Sequence, residues 1–175
     1  MTTSPQIEKV SKHTLTLPDG VYRALEASAK RLDLEPNELI QDLIVERVIA
    51  DGTLDKATAE QIQAYKWLIA TAVERAKERC RQGAFSSSLT ADIFEVCAKD
   101  EEWAERYRFY VQDDIYKSGN PRKGPINREI GYRIRAAIGA EVEKDAKGAT
   151  AMKKVTGLII QSYTPFTSYD PTRVG

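Results

Sequence analysis

Between Lys12 and Val48 the hydrophobic period of the chain changes from two to about 3.6 residues, and no other feature constrains the fold as much. Lys12, Thr14 and Thr16 alternate with His13, Leu15 and Leu17, which predicts a short strand with one polar and one apolar face. Pro18 ends the strand because proline has no N–H to give to a ladder. From about Asp19, the residues Val21, Ala24, Leu25, Ser28 and Leu32 recur at helical spacing. From about Pro36, whose fixed φ suits a first helical turn, Leu39, Ile40, Leu43, Ile44 and Val48 do the same. One strand and two short helices cannot bury both apolar faces alone. A second copy is the economical partner. Two strands would pair antiparallel across a twofold axis, and Leu15, Leu17, Leu25, Leu39 and Leu43 of both copies would share one core.

The T-L-T-L-P strand, the V-Y-R-A-L-E helix start and the N-E-L-I-Q-D-L-I second helix resemble the ribbon-helix-helix family of DNA-binding dimers. The resemblance implies that the solvent-facing ribbon residues Lys12, Thr14 and Thr16 enter the major groove of double-stranded DNA. Lys12 would donate to a phosphate or a guanine, and each threonine would offer a donor, an acceptor and a methyl group. One departure matters. Family members usually begin the second helix with a serine or threonine that helps grip phosphate, whereas here Glu35-Pro36-Asn37-Glu38 puts two carboxylates there. Carboxylates suit the helix dipole but oppose DNA. The alternative is a module that only dimerises.

Zero net charge would argue against nucleic acid if the charge were evenly spread. It is not. Residues 1–50 hold 6 Lys+Arg against 8 Asp+Glu, and residues 51–115 hold 9 against 13. Residues 116–175 hold 11 against 5, so the positive charge is concentrated in the last third, as a nucleic-acid face requires.

The remaining organisation follows from breakers and periodicity. Residues 1–11 read as a flexible arm and 12–52 as the dimerising, DNA-binding unit, with Asp51-Gly52 as its stop. A connecting helix is expected within 53–84, opened by a Thr58-x-x-Gln61 capping box and carrying Ile62, Tyr65, Leu68, Ile69, Ala72, Val73 and Ala76. Within 85–163, a helix with Ile93, Phe94, Val96 and Cys97 precedes one beginning near Asp100. There Trp103, Tyr107 and Tyr110 form an aromatic stripe, which at this spacing is core rather than a base-stacking surface. Arg122 and Lys123 lie in a Gly/Pro-rich loop suited to phosphate. The next helix, Asn127–Ile138, turns Ile130, Ile134, Ala137 and Ile138 inward and Arg128, Tyr132 and Arg135 outward, behind an asparagine cap. Two strands, 140–143 and 154–160, flank a basic loop with Lys147 and Lys153, next to Lys154.

An exposed basic helix followed by a hairpin with a basic tip is similar to the recognition helix and wing of winged-helix domains. The resemblance implies DNA contact by Arg128, Tyr132, Arg135, Lys147, Lys153 and Lys154. Residues 164–175 read as a tail trailing over the surface. The fold class expected is mainly α: a ribbon-helix-helix unit joined by a long helix to a winged-helix-like domain.

No chemistry-bearing constellation stands out. The single histidine, His13, lies on the inward side of the ribbon, and Cys80 and Cys97 lack ligand spacing and read as reduced thiols. Nucleotide-binding and nucleophile-elbow motifs are missing, so neither an enzyme nor a cofactor or metal is expected. With neither a secretion signal nor a membrane span in the sequence, a cytoplasmic location is expected. The function expected is a homodimeric DNA-binding protein, a repressor or architectural factor of a mobile-element or defence locus. The runner-up is a dimeric, antitoxin-like adaptor whose C-terminal domain holds a protein effector. A third reading, RNA binding near Trp103 and Tyr107, stays open on sequence alone.

Overall fold

The computed structural model describes residues 12–32 and 34–174. The expected arm at 1–11 lies outside the described residues. The chain divides into two compact units, residues 1–46 and 47–175.

In the first unit, α1 (Asp19–Arg31) starts directly after Pro18, whose carbonyl accepts from the Val21 and Tyr22 amides. The helix α2 (Pro36–Ala50) begins at the proline and extends past residue 46. Both helices lie where apolar periodicity puts them. The expected strand at Lys12–Leu17 does not form in a single copy: it joins no ladder among the described residues. Of the described residues in this unit, only Ala29 and Leu39 are buried. Leu15, Val21, Leu32, Leu43 and Ile44 are each about half or more exposed.

The second unit is organised around α3 (Lys56–Arg81), against which α4 (Leu89–Lys99), α5 (Glu101–Val111) and α6 (Lys123–Ala137) all pack. The expected connecting helix is therefore the spine of this unit. Ala64, Leu68, Ala72, Ala76 and Cys80 fall every fourth residue and are all buried, and the small volumes of the three alanines and the cysteine let three helices approach one. Its cap is Asp55, whose carboxylate accepts from the Thr58 amide at 3.0 Å, in place of the expected Thr58 box. Asp100 caps α5 through the Trp103 amide and also takes Arg75 of α3 at 2.5 Å. The inner stripe Ile130, Ile134, Ala137 and Ile138 is buried as expected, together with Ile126. Cys80 and Cys97 are buried free thiols, and burial pushes Cys97 up to about 11.

The strands differ from the expected wing. The strand β1 (Glu141–Val142) pairs antiparallel with β4 (Phe166–Ser168), and β2 (Lys153–Lys154) pairs with β3 (Ser162–Tyr163). Between 140–143 and 154–160 no ladder forms; one bridge, Lys144 with Thr150, closes the loop tip. The reason lies in the second segment. Gly157 takes φ +75° and turns the chain, and Ile159 and Ile160 are buried instead of alternating in and out.

The expected tail is also part of the core. Pro165, Phe166 and Val174 are buried; the Phe166 amide donates to Ser87 O, and the Asp170 amide to Ile138 O. The Arg81 guanidinium holds the Val174 carbonyl at 2.7 Å, and the Tyr169 hydroxyl donates to the Cys80 carbonyl. Its turn-rich composition concealed these long-range partners. None of the helices, among the described residues, is long and apolar enough to cross a membrane.

Candidate functional site

The positive charge of the last third is largely spent on structure. Lys123, expected in a phosphate-binding loop, is buried in the first turn of α6, where its ammonium donates to the carbonyls of Ile115 and Lys117 at 2.6 and 2.8 Å. Burial holds that ammonium below the usual lysine range, against the opposite pull of Asp114 and Asp113. Arg122 turns inward too, with its guanidinium on the Tyr110 carbonyl at 3.1 Å. Both residues tie the 113–122 loop to the core. The helix α6 starts four residues before the expected Asn127, because Pro125 sits in a first turn whose amides need no helical acceptor. Asn127 is consequently interior to the helix, and its side-chain oxygen accepts from the Tyr107 hydroxyl at 2.6 Å. Among the wing lysines, Lys153 pairs with Glu143 at 3.4 Å, while Lys147 and Lys154 are exposed.

Replacing Lys123 by methionine separates the structural role from a DNA role. Two carbonyls lose a buried donor, so the variant is expected to lose about 2 kcal/mol in urea denaturation. The salt dependence of any DNA binding is expected to stay unchanged. A phosphate contact would give the reverse pattern.

Arg128, Tyr132 and Arg135 do share the exposed face of α6, as the spacing required. They line one side of a half-open groove of about 780 Å³. Thr90 and Phe94 of α4 form its base, and Ile159–Thr164 and Phe166 form the facing wall. The loop 118–121 and Met152 border it as well. No lining residue is acidic.

Arg128 makes no ion pair or side-chain hydrogen bond among the described residues, and Arg135 bonds only the Ala140 carbonyl, at 3.3 Å. Other helix arginines here are neutralised: Arg75 by Asp100, Arg106 by Glu102 and Arg133 by Glu129.

Gly131 lies on the same wall. Its backbone is helical, and a Cβ there would meet only Thr90 Cγ2, at 3.7 Å. Inside a helix glycine is less stable than alanine by about 0.5–1 kcal/mol. Neither a positive φ nor a clash accounts for it at this position; what the missing side chain leaves is open groove.

Comparison with known proteins adds no relative: the chain matches no family model, no curated protein and no solved structure. The site therefore has to be read from its own chemistry.

In the first unit, Lys12, Thr14 and Thr16 are exposed, but so are His13 and Leu15, so burial within one copy does not separate the two expected faces of this segment. At the start of α2 the Glu38 carboxylate accepts from the Glu35 amide at 3.0 Å, doing for itself what a phosphate would do there. Trp103 and Tyr107 are fully buried, which removes the RNA-stacking reading for those rings. Sequence reasoning missed the groove wall, since Thr90, Met152, Gln161 and Tyr163 belong to separate segments with no shared spacing.

Proposed function

We propose that this chain is a homodimeric DNA-binding protein of ribbon-helix-helix type that acts by occupying a site, as a repressor or architectural factor. One observation carries the reading: the first unit leaves Leu15, Val21, Leu32, Leu43 and Ile44 substantially exposed beside residues 12–17, which join no ladder among the described residues. Pairing that segment with its twin would satisfy the backbone and cover the apolar side chains together. Lys12, Thr14 and Thr16 would then project from the paired ribbon into the major groove. The C-terminal unit has a smaller part in DNA contact than its composition suggests. Lys147 and Lys154 are exposed, whereas Arg128, Tyr132 and Arg135 line a concavity.

Titration of the full chain with random-sequence duplex DNA at 50 and 200 mM salt tests the reading. Two neutralised phosphates, one for each Lys12, weaken binding about tenfold over that range, and additional contacts steepen the fall. Lys12→Ala/Thr14→Ala/Thr16→Ala is expected to abolish the salt-sensitive component. Glu38 at the start of α2 favours a second reading, a dimeric adaptor that binds a protein effector through its C-terminal unit. Absence of DNA binding at the lower salt, with the dimer intact, would select it.

A further inference from the structure

We infer that the groove between α6 and the 159–166 segment is a binding site for a small aromatic anion, a flat ring system bearing a carboxylate or a phosphate. The inference goes beyond DNA binding and needs no dimer, because every lining residue lies between 90 and 166. Three features specify the ligand. The first is charge: Arg128 and Arg135 both reach the groove without a carboxylate partner, and no acidic residue lines it. A guanidinium left in this state presents a planar fork of donors to a planar anion. The second is shape. Arg128 and Arg135 are seven residues apart on one helix, hence about 10 Å along its axis, with Tyr132 between them. That span suits a molecule of one or two fused rings lying over the tyrosine, with its acid at one arginine. The third is the lining, in which Met152 and Tyr163 supply apolar and aromatic surface for the body of such a ligand, over a floor backed by the buried Phe94.

Gly131 adds the space. It lines the groove between the two arginines, and a Cβ there would make only an ordinary contact with Thr90 Cγ2, at 3.7 Å. A DNA-binding protein with such a site would be able to report a metabolite to its operator, although the site itself is independent of that coupling.

The probe for the test is anilinonaphthalene sulfonate, a fluorescent aromatic anion, titrated into the full chain. Arg128→Ala/Arg135→Ala and Gly131→Leu are each expected to weaken the groove component at least tenfold. Lys56→Ala, on an exposed position of α3, is expected to leave it within twofold. Any dye bound by the first unit should persist in all these variants. Competition then identifies the acid: displacement by adenosine monophosphate assigns a phosphate, and displacement by naphthoate assigns a carboxylate. Either supports the site. Dye binding that is unchanged in both groove variants overturns it, and so does dye that neither competitor displaces. Gly131→Leu could disturb packing, but Arg128→Ala/Arg135→Ala alters only exposed side chains and keeps the test decisive. Loss of DNA binding or of the dimer in other variants would bear on the proposed function and leave this result standing.

Discussion

Leu43→Glu is expected to make the protein a monomer and to remove DNA binding with it. Leu43 is 51% exposed in the single copy, and Leu15, Val21, Leu32 and Ile44 are 58%, 49%, 59% and 54% exposed. Burying a leucine or isoleucine fully contributes about 1.5–3 kcal/mol. Five partly exposed side chains from each of two copies therefore supply enough to offset the loss of rotational and translational freedom on association. A glutamate at the centre of such a core loses the apolar term and must be desolvated, at a cost of several kcal/mol. The dimer dissociation constant should rise by at least about a hundredfold, the equivalent of roughly 2.7 kcal/mol. Sedimentation equilibrium at micromolar concentration reads this directly. Circular dichroism should keep the helical signal of the second unit, which has its own core. Two results would sink the idea: a wild-type chain that is already monomeric at that concentration, or a Leu43→Glu variant that stays dimeric. The first would leave the exposed apolar side chains without a partner copy, and the second would move dimerisation to some other surface.

How much of this was legible in the sequence depends on where each partner sits. Helices were readable because their cause is local: the stripe Ala64, Leu68, Ala72, Ala76 repeats every fourth residue, and Pro18, Pro36 and Gly52 punctuate the chain where helices start and stop. The inward and outward faces of α6 followed from the same periodicity. Lys123 was misread because its two acceptors are carbonyls of Ile115 and Lys117, and carbonyls carry no sequence signature. The final segment was misread for the same reason, since its anchors, Ser87 O and Ile138 O, are backbone atoms distant in sequence. The apolar run 158–160 looked like a strand, but an apolar run of that length states only that it will be buried, not against what. The spacing groups Arg128, Tyr132 and Arg135, yet the groove they line takes its other walls from segments distant in sequence. Composition located charge correctly in the last third; only the structure separates cations spent on carbonyls and carboxylates from those left to meet a ligand.

Trp103→Ala is expected to cost the second unit about 4 kcal/mol, the largest single loss available to a side chain here. Trp103 is fully buried at the junction of three helices. Its ring stacks on Tyr107 with centroids 4.9 Å apart and meets Phe94 edge-on at 6.3 Å. Its indole N–H donates to the Leu68 carbonyl on α3, at 3.2 Å. Alanine would leave a cavity that neighbouring rings can only partly fill, because Tyr107 is held by Asn127 and Phe94 is part of the groove base. A typical domain has about 5–15 kcal/mol in all, so the variant should sit near the edge of folding. Urea denaturation measures the loss, and the remaining tryptophan, Trp67, is a usable reporter because the Arg106 guanidinium lies 4.2 Å from its ring centre and leaves on unfolding. The groove should fail in step with stability, since Phe94, Asn127 and α6 all rest on this aromatic cluster. Trp103→Phe, which keeps a ring and loses only the N–H, should lose less than half as much. A loss below about 1 kcal/mol for the alanine variant would mean that α3, α4 and α5 are not packed through this residue, and the account of the second unit's core would have to be abandoned.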